Sequence, residues 1–75
     1  MSLLSGQDSG PTLGEECYRL RRRNSLKQKQ LAYLAGVNVG TLISLEANRS
    51  ISLGSAMAIF LALGYELVLQ PRKES

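Results

Sequence analysis

The sequence predicts an all-α domain of four to five short helices that ends in one short β-strand. Three observations predict it. Apolar residues recur at helical spacing in several short segments, each opened by a capping side chain and closed by glycine or asparagine. Val37 and Asn38 alone separate the glycine that stops the second segment from the start of the third, so two helices are joined by a tight turn. After Gly64 the period changes from helical to twofold, the mark of a strand.

Residues 1–11 mix serine, glycine and glutamine with two leucines in no period and read as a flexible tail. Helical order begins at Thr12, which forms a capping box with Glu15 three residues on. The first helix is expected over 13–24, with Leu13, Cys17 and Leu20 on one face. The second is expected over 27–35, with Leu31, Leu34 and Ala35 inward and Gly36 in the left-handed conformation at its end. Ser25 with Gln28 offers an alternative capping box, so two starts are open for this helix. Asn38 caps a third helix over 39–47, with Leu42 and Leu45 inward, and Asn48 ends it. Ser52 caps a fourth over 53–63, whose stripe of Leu53, Ala56, Ile59, Phe60 and Leu63 is closed by Gly64.

In 65–70, Tyr65, Leu67 and Leu69 alternate with Glu66, Val68 and Gln70 before Pro71 stops the strand, leaving 71–75 as a tail. A lone strand cannot satisfy its own backbone groups. The economical partner is the same segment of a second copy, antiparallel across a twofold axis, with Tyr65, Leu67, Val68 and Leu69 at the interface. The alternatives are an extended tail over the chain's own helices and pairing with the Leu3–Leu4 region.

Composition bounds the function. A chain of 75 residues is one domain near the lower limit for a single core, and with 44% hydrophobic but only 5% aromatic residues that core is aliphatic. One cysteine and no histidine leave no internal disulfide and no ordinary zinc site, so neither metal nor cofactor is expected. Cys17 is core filler rather than a nucleophile, because no histidine base exists to activate it. With no phosphate-cradling glycine loop either, an enzyme is not expected. The longest apolar run, 56–63, is far short of the roughly 20 residues a membrane span needs, and no secretory signal opens the chain. A cytoplasmic protein without a membrane partner is therefore expected. Net charge is only +3, yet Arg19, Arg21, Arg22, Arg23, Lys27 and Lys29 fall within eleven residues that contain no acid. Such a run alone is usually a solvated helix face. Context must decide.

Two short helices joined by a glycine turn, the second entering on an asparagine cap, form a helix-turn-helix, which lays one helix in a DNA major groove. The stretch 28–46 resembles the phage-repressor and Cro-like (Xre) family: Gln28, Leu31–Ala32, Gly36–Val37, Thr41 and Leu45–Glu46 match together. Ser52–Leu53 and Ala62-Leu63-Gly64 extend the likeness over about 13–64. The resemblance implies a repressor-like fold and a homodimer on a palindromic operator in double-stranded DNA. It places Val39, Gly40, Ile43 and Ser44 toward base edges. It places Gln28 and Arg49 on phosphates, with Lys27, Lys29 and Thr41 beside them. Arg22 and Arg23 face either phosphates or solvent. Arg21 and Glu46 correspond to an internal ion pair between the first and third helices.

Two features depart from the family. Ser44 is the only polar side chain among the four base-facing positions, where relatives carry glutamine, arginine or lysine, so contact of Val39 or Ile43 with thymine methyls, together with DNA shape, must supply much of the discrimination. Lys27 stands where a threonine or serine cap is usual. The stretch 63–72 is similar, over a shorter motif, to Hip-type antitoxins, which implies autoregulation and a kinase-like toxin as partner. A stand-alone repressor and a protein-interaction module that no longer binds DNA are the alternatives.

Overall fold

The computed structural model describes residues 11–67. Four helices run through them, α1 (Leu13–Arg23), α2 (Gln28–Ala35), α3 (Val39–Glu46) and α4 (Leu53–Ala62), so the domain is all-α. The starts follow local chemistry. The Glu15 N–H donates to Thr12 Oγ1 at 3.1 Å while the Thr12 N–H donates to Glu15 Oε1 at 3.0 Å, a reciprocal box. Asn38 Oδ1 accepts from the Gly40 N–H at 2.7 Å, and Ser52 Oγ accepts from the Ser55 N–H at 3.1 Å. α2 opens after Lys27, whose N–H donates to Gln30 Oε1 at 2.7 Å. Lysine has no acceptor with which to answer, so this helix has half a box.

All four helices end alike. The chain turns through a left-handed residue, and two backbone N–H groups reach back to the last free carbonyls, the arrangement called a Schellman motif. For α1 the Ser25 N–H donates to the Arg22 carbonyl at 3.0 Å and the Leu26 N–H to that of Arg21 at 3.1 Å. Gly36, Asn48 and Gly64 play the part of Ser25 in the other three, with φ of 73°, 63° and 92°. Ser25, at φ 56°, does so without the freedom of glycine or the tolerance of asparagine. The expected alternative cap for α2 is thus the terminator of α1 instead.

α2 packs against α3 and α4, and α1 against α3, around Cys17, Leu20, Leu31, Ala32, Leu42, Leu45, Ile59, Phe60 and Leu63. Leu31, Leu42, Ile59 and Cys17 are fully buried. Three residues expected to face inward do not: Leu13, Leu34 and Leu53 are 50%, 58% and 46% exposed. Leu13 and Leu53 occupy first helical turns beyond the reach of the core, and α2 has only two turns, whose inward sector Leu31, Ala32 and Ala35 already fill. On α4, Leu53, Met57 and Leu61 form an exposed stripe at intervals of four residues, and exposed Tyr65 follows it.

The expected strand over 65–70 is not formed in its described part. The Tyr65 N–H is spent closing α4 on the Phe60 carbonyl at 2.8 Å, and Leu67 packs back against the core. One chain by itself offers no second edge to which Tyr65, Glu66 and Leu67 could bond. Val68, Leu69 and Gln70, most of the expected N-terminal tail, and the tail 71–75 lie outside the described residues. Among the described residues no helix is long and apolar enough to cross a membrane.

Candidate nucleic-acid interface

Glu46, the last residue of α3, ties three helices together. Its Oε2 accepts from Arg21 Nε at 2.7 Å and its Oε1 from Arg21 Nη2 at 3.0 Å, a two-pronged ion pair whose side chains are only 7% and 9% exposed. Gln28 Nε2, at the start of α2, donates to Oε1 at 3.2 Å, and the Cys17 thiol lies 3.5 Å from Oε2. The third guanidinium nitrogen of Arg21 donates to the Leu26 carbonyl at 3.0 Å, inside the turn that Ser25 makes. Every charged atom of the pair therefore has a partner, which is the condition for burying it at tolerable cost.

The electrostatics follow. Burial pushes the Glu46 carboxyl up, but the bonds from Arg21 and Gln28 and the Arg21 charge outweigh it and leave the group below its ordinary range. The bond to Glu46 raises Arg21 against the opposing effect of burial. Burial first, and the Glu46 charge second, push the Cys17 thiol up to about 12.

Around this anchor stand the residues expected at DNA. On α3, Gly40 and Ile43 are exposed, Thr41 and Ser44 are half-buried, and Val39 is half-buried against the core. Lys27, Lys29, Arg22, Arg23 and Arg49 are exposed, and none has a carboxylate partner among the described residues. Arg19, in contrast, is paired with Glu16 one turn earlier. Arg22 is held by Tyr18, to whose hydroxyl it donates at 2.8 Å and over whose ring it lies at 5.6 Å. A cleft of about 470 Å³ at the start of α2 brings Arg21, Arg22, Ser25, Leu26, Lys27 and Gln28 together. Arg49 follows the C-terminal end of α3 and lines a different cleft, with Asn48 and Leu45.

Sequence reasoning missed several residues. Tyr18 had a readable signal, its spacing of four from Arg22. The Gln28 bond to Glu46 had none, since it directly joins two residues far apart in sequence. Tyr33, 84% exposed, and Leu34, which the helical period had set inward, line a surface cleft of about 390 Å³ with Leu26, Lys29 and Gln30, and the period gave no reason to set Tyr33 apart. Comparison with models of known protein families gave no match, and comparison with curated proteins gave none.

Proposed function

We propose that this chain is a sequence-specific repressor that binds double-stranded DNA as a homodimer, with α3 in the major groove and the cleft at the start of α2 on the phosphate backbone. The observation that carries the reading is the pair of helices α2 and α3, joined through left-handed Gly36, locked to α1 by the Glu46 network and flanked by five exposed cations. Lys27 and Arg22 line a cleft where free N–H groups and the dipole of α2 also favour an anion. Gln28 lines it too, but its amide N–H is engaged by Glu46, so its phosphate role falls to the carboxamide's other N–H or to the backbone.

Self-association is supported by the exposed stripe of Leu53, Met57, Leu61 and Tyr65, apolar surface that a small monomer does not need. Pairing of the segment 65–69 with its copy is the form of dimer that the alternating pattern supports. The antitoxin reading, with a kinase-like toxin as partner, rests on the likeness of 63–72 alone; a stand-alone repressor needs only the domain. Tyr33 and Leu34 favour a second reading, a protein-interaction module without DNA binding.

Titrating the whole chain against random-sequence duplex at several salt concentrations separates the readings. A DNA binder loses affinity with a log–log slope of about −0.9 per phosphate neutralised, with roughly 6–10 phosphates engaged by a dimer. Affinity that is absent, or flat with salt, leaves the interaction module.

A further inference from the structure

The solvent face of α3 consists of Gly40 and Ile43, continued by Ala47 just past its end. Leu42 and Leu45 point into the core and Val39 packs against it, so Ile43, 43% exposed, is the one large side chain that face presents. At Gly40 a β-carbon would meet only Asn38 Oδ1, at 3.0 Å, so nothing else stands over the bare backbone there. None of the three residues has a side-chain hydrogen-bonding group. Thr41 and Ser44, half-buried at its flanks, carry hydroxyls, which rotate to donate or to accept.

Thymine shows the major groove a C5 methyl and the O4 acceptor, whereas cytosine shows the N4 amino donor and no methyl. A protein that separates a thymine–adenine pair from a 5-methylcytosine–guanine pair needs a group held as donor or as acceptor at that fourth position or at the sixth position of the paired purine. This face has none. Resting on the DNA-binding reading above, we infer that Ile43 reads the 5-methyl group of a pyrimidine and that the chain accepts 5-methylcytosine where it accepts thymine. Binding to a site with cytosine at that position then responds to cytosine methylation.

The test uses the full chain and a duplex selected from a random library, with each thymine replaced in turn by deoxyuridine, by cytosine opposite guanine, and by 5-methylcytosine opposite guanine. At the position Ile43 contacts, losing the methyl should weaken binding about fourfold per half-site, the worth of one buried apolar carbon. Methylating the cytosine should recover that factor. Ile43→Ala should abolish the difference between thymine and deoxyuridine while keeping the salt slope. Deoxyuridine without effect at every position, or 5-methylcytosine no better than cytosine, overturns the inference alone. Failure to select any duplex overturns the DNA-binding reading and this inference with it.

Discussion

Gly14 in α1 lies against the carbonyl oxygen of Leu45 in α3 so closely that no β-carbon fits between them. Asn48 Oδ1, 2.7 Å from where that carbon would stand, and Glu46 Cα, at 3.3 Å, close the other sides. The approach of the two helices is thus set by a missing side chain, and it brings Arg21 to Glu46. Gly14→Ala gains about 1 kcal/mol of helix propensity. It must also push a backbone oxygen aside, and overpacking costs about 1–3 kcal/mol, with the upper end applying where the obstacle is backbone. A net loss of about 1–2 kcal/mol in urea denaturation is expected. At Gly54 in α4 a β-carbon meets nothing within 4 Å, so Gly54→Ala should stabilise by about 0.5–1 kcal/mol. Equal signs for the two substitutions would refute this account of the α1–α3 contact.

Ser25 holds a left-handed conformation at the end of α1. For a residue with a β-carbon that costs about 1–2 kcal/mol, part of which glycine recovers after its greater freedom in the unfolded chain is counted. Ser25→Gly should therefore raise stability by about 0.5–1 kcal/mol. A fall in the denaturation midpoint would show that the serine side chain contributes more than its backbone strain.

The Arg21–Glu46 pair makes a prediction about acid. Glu46 titrates below its ordinary range when folded, so the stability it contributes is complete above the unfolded value of about 4.3 and is lost as pH falls through the folded one. Glu46→Gln leaves the Arg21 charge buried without a counterion, which costs about 3–5 kcal/mol. That is a large share of the roughly 5–15 kcal/mol holding a domain together. The variant should be much less stable at pH 7, and the difference from the parent should shrink below pH 4. A constant difference across the acid range would remove Glu46 from the acid transition.

What was legible in the sequence is the chemistry of ends. Thr12, Asn38 and Ser52 open helices, and Gly36, Asn48 and Gly64 close them, because caps and left-handed turns are decided within a few residues. Which apolar residue faces the core is decided by neighbours far away in the chain. Leu34 has helical spacing to the core positions yet lies outside, since α4 covers one side of α2 and α3 another. Gln28 illustrates the same limit at the candidate site. Its place at the start of α2 suggests phosphate, but only the fold shows that Arg21 leaves Glu46 Oε1 free to accept one more bond. The strand expected over 65–70 rests on alternation alone, and alternation does not supply a partner edge.

Cys17 should be inert while the domain is folded. The thiol is fully buried, and a pKa pushed up to about 12 leaves almost no thiolate at neutral pH. Alkylation by iodoacetamide at pH 7.5 should proceed only through unfolding, so its rate should rise with urea in step with the unfolded fraction. Labelling at the rate of a free thiol in native buffer would mean that the core around Cys17 opens locally.

Arg49 and Ser44 meet at the C-terminal end of α3, where the Arg49 N–H donates to the Ser44 carbonyl at 2.8 Å, yet their predicted effects on DNA binding differ in kind. Arg49 follows the turn at Asn48, is exposed, and has no carboxylate partner among the described residues, so its charge is available to a phosphate. A phosphate contact carries no sequence information. Arg49→Ala should therefore weaken binding to every duplex by a similar factor and reduce the magnitude of the salt slope by about 1 per protomer. Ser44 is uncharged and flanks Ile43, where its hydroxyl reaches base edges if α3 occupies the groove. Ser44→Ala should keep the slope and change the order of preference among sites, by less than the about 1–3 kcal/mol of a bidentate contact at the base pair it touches. Competition between selected and random duplexes at fixed salt measures both effects. If Ser44→Ala scales all sites equally while Arg49→Ala changes their order, Arg49 and not Ser44 is the side chain that faces base edges.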